Sequence, residues 1–230
     1  MHSAHILRDF DQAISALRGE VLSMAAKARH NLERAVRALL ERNLELANAV
    51  IADDDEVDDA ERKIDQLGME ILVRFHPVAT DLRLVVSSMK ISMNLERISD
   101  HATNIAKRAK KLTHGQDLPD VNLIEPLYTL ADHLLRDAIS AYSDRNAVLG
   151  ASLHGRDKEL DRLHNAATAT FGSRIEQSSG RSQDYLHLIL VTRSLERVGD
   201  LATNIGEDAV FLEAARDLRH ASNRNLSEGR

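Results

Sequence analysis

The strongest constraint on this chain is an internal repeat. The segment LERISDHATNI, which starts at Leu95, recurs as LERVGDLATNI from Leu195, and eight of the eleven positions are identical. Residues that only pack a core drift among Leu, Ile and Val, whereas here a Glu, an Asp and an Asn are kept at fixed spacing. Two further pairs lie in the same order: ERAVRALLERN with RDAISAYSDRN, and DDEVDDAERKI with DKELDRLHNA. This order predicts a duplicated three-helix unit.

The segments between chain breakers have a helical pattern. Apolar residues recur every three or four positions, Pro occurs only 3 times, and no alternating strand pattern competes. The breakers, with Gly150–Gly155 taken as one of them, predict six helices, near residues 4–50, 54–75, 80–113, 121–149, 156–177 and 182–218. We therefore predict an all-α fold of two tandem three-helix bundles, residues 1–115 and 120–220, with a disordered tail over residues 221–230.

Composition excludes several classes of function. The net charge is −6 and aromatic residues make up 3% of the chain, so a nucleic-acid-binding role finds no support. The chain has 0 Cys, which removes disulfides and thiolate metal sites. It lacks an N-terminal secretion signal and any apolar run of about eighteen residues. A soluble cytoplasmic protein is the simplest interpretation.

Acidic residues form pairs at i,i+4 spacing in both halves, which places both side chains of a pair on one helix face. Folding each half into a helical hairpin brings two such pairs to similar heights, because the acids lie at similar distances from the turn. The eight acids are Asp54, Asp58, Glu96 and Asp100 in the first half, and Asp157, Asp161, Glu196 and Asp200 in the second.

Carboxylates that converge in this way predict a metal site. All-oxygen ligands suit hard cations and, where carboxylates bridge, multinuclear iron, manganese or zinc. Asn104 and Asn204 continue each acidic face by one turn and are expected to orient the ligands. His164, three residues after Asp161, is a weaker candidate ligand. The acids point away from the apolar seam, so we expect a shallow outer groove.

Two ordinary explanations of the acids stay open. A single Asp or Glu is usually a solvated helix face, and the acids from Asp53 to Asp59 also suit a helix N-terminus. On this view the protein is a purely structural bundle that happens to be acidic. Arg97 and Arg197, inside the repeated segment, are expected to form ion pairs with neighbouring helices.

The repeated segments, together with FHPVATDLRLVVSSMKIS between the second and third predicted helices, resemble the PhoU family of phosphate-uptake regulators over residues 5–218. The resemblance implies two three-helix bundles with multinuclear metal clusters on their surface. The family's (Glu/Asp)-x-x-x-Asp motifs fall on the eight acids above. The resemblance implies that the metal is iron or zinc, with manganese, magnesium or nickel as alternatives. Ser99, Leu201 and Lys107 depart from the family pattern, which usually has Gly, His and an acid there.

The resemblance also implies a role without catalysis. Family members are cytoplasmic, commonly dimeric, and connect the ATPase of the phosphate ABC transporter to the sensor histidine kinase of the phosphate regulon. The alternative function is a carboxylate-bridged metal protein that stores iron or acts as an oxidase. Helical proteins of that type normally use a Glu-x-x-His motif that faces the bundle interior, and this sequence contains none.

Overall fold

A computed structural model describes residues 2–115, 117–177 and 180–214, with side chains from Arg8 to Glu213. Over these residues the chain forms helices and no strand, which confirms the all-α prediction. No helix in this range combines the length and the apolar composition that crossing a bilayer needs. A short 3₁₀ turn covers Pro119–Leu123, and the α-helices are α1 (His2–Leu40), α2 (Leu44–Ala52), α3 (Asp55–Phe75), α4 (Ala79–Thr113), α5 (Ile124–Ser143), α6 (Ala147–Gln177) and α7 (Ser182–Ala214).

The repeat appears as two bundles. The first contains α1 to α4, with α2 and α3 together taking the place of one helix, and the second contains α5 to α7. The bundles pack against each other mainly through α4 and α7. These helices are antiparallel, because Arg83 near the start of α4 donates to the carbonyl of Leu212 near the end of α7 at 3.2 Å. One apolar core runs through both bundles. The predicted tail, residues 221–230, lies outside the described residues.

The repeated Arg-Asn dipeptide ends one helix and starts the next in both halves. Arg42 and Arg145 have positive φ angles of 54° and 53°, which end a helix. The side chains of Asn43 and Asn146 then accept hydrogen bonds from the backbone N–H three residues later, at 2.9 and 3.0 Å. The single helix predicted over residues 4–50 is therefore wrong, and the helix predicted over 121–149 ends at Ser143.

The predicted break at Gly150–Gly155 is also wrong, because both glycines lie inside α6. A Cβ atom on Gly150 would lie 2.5 Å from the carbonyl oxygen of Gly206 on α7, so Gly150 lets the two helix backbones approach closely. A Cβ atom on Gly155 would meet nothing within 4 Å. The first glycine serves helix packing, and neither ends the helix.

Candidate metal centre

Each half presents its acids on an antiparallel helical hairpin. In the first half, α3 ends at Phe75, and the next residue, His76, has a left-handed φ of 49°; Pro77 then follows before α4 begins. The apolar faces of the two helices are fully buried, with Val57 on α3 and Leu95 and Ile98 on α4 in the same core. This packing turns the polar face of each helix outward, where Glu96 is half-buried and Asp100 is exposed. The expected outer groove agrees with this burial.

Four carboxylates interact in the first half: Asp58, Glu61, Glu96 and Asp100, named here the first acidic cluster. The pKa of Glu96 is raised to about 7, first by burial and then by the three neighbouring carboxylates and a hydrogen bond to Asp100. Burial also raises the pKa of Glu61, and Asp58 and Asp100 add to that shift. Both shifts arise first from burial and then from repulsion between the carboxylates, and a bound cation would relieve that repulsion.

Glu61 is a member that the sequence analysis missed. It lies three residues after Asp58, on the same helix face. His164 lies three residues after Asp161, so the two repeats place a potential ligand at equivalent positions. The repeat itself was the signal, because His164 had been noticed and its counterpart had not.

Asp54, the fourth predicted acid of the first half, contacts α4 through a hydrogen bond. It is the residue just before α3, and its Oδ1 accepts a hydrogen bond from Thr103 Oγ1 at 2.9 Å. Thr103 is on α4, three residues beyond Asp100. Asp54 therefore reaches α4 on the side of the acidic face, but it is absent from the carboxylates that shift the pKa of Glu96.

The second acidic cluster contains the four predicted acids of the second half: Asp157, Asp161, Glu196 and Asp200. The pKa of Asp157 is raised to about 6, first by burial and then by the other three carboxylates. Burial raises the pKa of Glu196 and of Asp200 as well. A Cβ atom on Gly199 would lie 3.0 Å from Asp157 Oδ1, so this glycine lets Asp157 approach the α7 backbone.

The two repeats differ in the ion pairs of their equivalent arginines, Arg97 and Arg197. Arg197 forms ion pairs with Asp200 at 3.0 Å and Glu196 at 3.5 Å, and so lowers the pKa of both acids against the effect of burial. These partners are on its own helix, so the expected pairing with a neighbouring helix is wrong for Arg197. Arg97 makes no ion pair with any residue that the structure describes. Arg197 thus partly neutralises the second cluster through ion pairs, whereas in the first cluster Arg62 lowers the pKa of Glu61 against the effect of burial.

Asn104 and Asn204 lie exposed in grooves between α4 and α7. Asn204 also borders a groove that contains Asp157 and Asp200, which places it beside the second acidic cluster. Neither amide makes a hydrogen bond to a predicted ligand in the described part of the chain. Their proposed role of orienting the ligands stays a prediction.

The donor chemistry of both clusters fits an oxygen-ligated metal, since several carboxylates with raised pKa values face each other. The Nδ1 atom of His164 is buried without a hydrogen-bond partner and adds a nitrogen donor to the second cluster. Among the described residues, however, no three His, Asp or Glu side chains are already arranged around one ion position. Rotamer changes of these long, partly exposed side chains are needed to bind an ion.

Comparison with known proteins shows a family match in both halves. The PhoU domain family matches residues 21–109 and 124–209. A phosphate-specific transport system accessory protein PhoU homolog from Pseudomonas putida is 33% identical over 217 residues, which are 94% of this chain and 85% of that protein. A protein of the same description from Zymomonas mobilis is 31% identical over 214 residues, 93% of this chain and 90% of that protein.

Two solved structures have the same fold. The crystal structure of PhoU from Pseudomonas aeruginosa has a TM-score of 0.87 at 30% identity and covers 90% of this chain and 100% of that chain. The phosphate transport system regulatory protein PhoU from Streptococcus pneumoniae has a TM-score of 0.84 at 24% identity and covers 90% and 98% of the two chains. The tandem arrangement of two bundles is confirmed.

Proposed function

Because this chain belongs to the PhoU family, we propose that it is a non-catalytic negative regulator of phosphate uptake and of the phosphate regulon. The observation that carries this proposal is the match of the PhoU domain to both halves of the chain, over residues 21–109 and 124–209. Relatives at 31–33% identity are described as accessory proteins of the phosphate-specific transport system. In this role the protein is cytoplasmic and acts as a homodimer.

The proposed partners are the ATPase of the phosphate ABC transporter and the sensor histidine kinase of the phosphate regulon. The rigid packing of the two bundles supports an adaptor, because Arg29 on α1 and Asp132 on α5 hold the bundles together with hydrogen bonds of 2.5 and 3.1 Å. An adaptor needs a fixed distance between its two binding surfaces, and a continuous core across both bundles supplies one.

Deletion of the gene in its native host tests the adaptor. In phosphate-rich medium we expect faster uptake of labelled phosphate and higher expression of a phosphate-regulon reporter, both restored by the wild-type gene. A tagged copy is expected to co-purify with the transporter ATPase. Unchanged uptake and unchanged reporter expression, with no ATPase recovered, contradict the adaptor role.

We further propose that both acidic clusters, with Asp54 beside the first, bind a multinuclear metal centre. Iron or zinc is expected first, and manganese, magnesium or nickel next. The metal supplies positive charge that neutralises the carboxylates and links the two helices of each hairpin. Because it binds only the folded state, it adds stability that depends on metal concentration.

Elemental analysis of protein purified without chelator tests the metal centre. The variant Glu96→Gln with Asp100→Asn is expected to lose the metal of the first half and to melt at a lower temperature than the wild type. The control, Glu70→Gln with Glu41→Gln, removes two charges from exposed acids outside both clusters and is expected to keep the metal.

Two results contradict the metal proposal: wild-type protein without stoichiometric metal, or equal metal content in the cluster variant and its control. Metal-loaded protein that oxidises ferrous iron over many turnovers supports the alternative function, an iron-storage protein or oxidase.

A further inference from the structure

A groove between α4 and α7 carries a concentration of positive charge, although the chain as a whole has a net charge of −6. The groove has a volume of about 440 Å³ and lies between the two bundles, and none of the metal ligands proposed above is among its lining residues. Its lining residues, which define the basic groove, are Arg97, His101, Asn104 and Arg108 on α4 and Leu190, Arg193, Ser194 and Arg197 on α7.

The cations of the basic groove have few protein partners. Arg97, Arg108 and Arg193 make no ion pair or hydrogen bond with any residue that the structure describes. No Asp or Glu of the described residues lines the groove. Like charges held this close repel each other unless an anion compensates them. The fold therefore holds several guanidinium groups together without neutralising them.

The internal repeat supplies a comparison within the same molecule. In the repeat, each residue of α4 is equivalent to the residue of α7 that lies 100 positions later. The equivalents of the residues that line the basic groove form a second groove, named here the counterpart groove. The lining of the counterpart groove is Lys90, Met93, Asn94, Arg97, Asn204 and Asp208. Each of these six residues is the equivalent of a residue that lines the basic groove. Both grooves thus arise from the same packing of α4 on α7.

The two grooves differ in charge at equivalent positions. Arg108 is replaced by Asp208, and Arg193 is replaced by Met93. In the counterpart groove, Asp208 forms an ion pair with Lys90 at 3.4 Å. Helix packing is satisfied there with an acid and a methionine, so packing does not require the two extra arginines of the basic groove. Their presence indicates a ligand.

We propose that the basic groove binds a small anion that carries one or more phosphate groups. Guanidinium groups present paired N–H donors that match the oxygens of phosphate, and charge-assisted hydrogen bonds of this kind are strong. From Arg97 to Arg108 the groove extends about 16 Å along α4, at about 1.5 Å per residue. This length accommodates a chain of several phosphates as well as a single one.

The lining favours a small anion over an acidic protein segment. The centre of a protein–protein interface is depleted in charged residues and enriched in apolar and aromatic ones. Leu190, at 39% exposure, is the one apolar residue in the lining, and no Phe, Tyr or Trp is among the lining residues. The proposal does not depend on the proposed regulatory role, because it rests on the lining alone.

Isothermal titration of the full-length, chelator-treated protein tests the proposal at low salt. The probes are inorganic phosphate, pyrophosphate and ATP, titrated separately, so the result also distinguishes a free phosphate from a nucleotide source. We expect at least one probe to bind saturably, with one site per chain, and the affinity to fall as NaCl is raised.

The test variant is Arg108→Met with Arg193→Met. We expect at least tenfold weaker binding, which corresponds to about 1.4 kcal/mol, because two phosphate-binding guanidinium groups are lost. The control is Lys110→Met, which removes one cation from the same helix on the side where Lys110 bonds Asn48, and it is expected to change affinity less than about twofold. If the double variant fails to fold, Arg193→Met alone carries the test, since Met93 occupies the equivalent position.

Three results overturn the proposal. The first is that none of the three probes binds saturably at millimolar concentration, as is expected if the groove instead receives an acidic protein segment. The second is that the double variant binds as tightly as the wild type. The third is that Lys110→Met weakens binding as much as Arg193→Met does, which indicates non-specific attraction. None of these results bears on phosphate uptake after gene deletion, so the two proposals fail separately.

Discussion

Replacing Gly150 with Ala tests whether the close contact between α6 and α7 requires a glycine. The added Cβ atom would lie 2.5 Å from the carbonyl oxygen of Gly206 and 3.1 Å from Cγ2 of Val210. The nearest obstructing atom belongs to the backbone, which cannot rotate away as a side chain does. The helices must therefore separate.

The expected cost follows from two opposing effects. Overpacking a close contact costs about 1–3 kcal/mol. Ala in place of Gly stabilises a helix interior by up to about 1 kcal/mol. Gly150 is in the first turn of α6, where the gain is at the low end, so we expect Gly150→Ala to lower the free energy of unfolding by about 1–2 kcal/mol.

Gly155 provides the control on the same helix. A Cβ atom there meets nothing within 4 Å, so Gly155→Ala receives only the helix gain and is expected to stabilise the protein by about 0.5–1 kcal/mol. Urea denaturation of both variants, followed by circular dichroism, gives the two free energies. The reasoning is refuted if both substitutions shift the free energy of unfolding in the same direction by similar amounts.

Three further predictions concern stability. In metal-free protein the pKa of Glu96, about 7, exceeds its ordinary value of 4.5, so the folded chain holds more protons than the unfolded chain between these values. The free energy of unfolding should then fall as pH rises from 5 to 8, by about 1 kcal/mol after allowance for exposure, and Glu96→Gln should flatten that slope in urea titrations. Asp132 is 7% exposed and pairs with Arg29, so Asp132→Asn should lower the free energy of unfolding by about 2 kcal/mol. Glu41→Gln, which removes an exposed ion pair, should lower it by under about 0.5 kcal/mol. Equal melting temperatures for the two variants contradict a stabilising role of the Arg29–Asp132 pair between the bundles. Asn43→Ala removes a helix cap and should cost about 1 kcal/mol, and an unchanged urea midpoint counts against the cap.

The acidic clusters could largely be predicted from sequence, because their geometry is local. The i,i+4 spacing fixes which residues share a helix face, and one tight turn fixes which residues of the hairpin are level. Glu96, Asp58 and Asp100 interact for these two reasons. The same arithmetic places Asp54 with them, and in the structure Asp54 lies one residue before α3 and accepts a hydrogen bond from Thr103 on α4. Its role as a ligand stays a prediction.

The predicted helix ends were wrong where one residue type could have two structural roles. A glycine such as Gly150 often breaks a helix, but here it lets α7 approach α6 closely. That role depends on a helix far along the chain and cannot be read from the local sequence. Conversely, nothing in a helical pattern from residue 4 to residue 50 marks a stop at Arg42. Only the recurrence of Arg-Asn at residues 145–146 indicated that this dipeptide has a structural role.

The basic groove could not be predicted at all, because its two sides come from different repeats. Arg108 and Arg193 are 85 positions apart, and only the antiparallel packing of α4 on α7 brings them together. For the same reason, the sequence alone predicts only an ordinary ion pair for Arg97. Residues that meet across a tertiary interface carry no local signature.

The position of Arg197 makes the two proposed sites thermodynamically coupled. Its guanidinium group pairs with Asp200 in the second acidic cluster, and its side chain also lines the basic groove. If both proposals hold, a metal ion on Asp200 would displace this arginine towards an anion in the groove, and an anion that attracts the arginine would uncover the carboxylate for metal. Each ligand would then increase the affinity for the other by the same factor. The protein would respond most strongly when both ligands are abundant, and so would detect their coincidence.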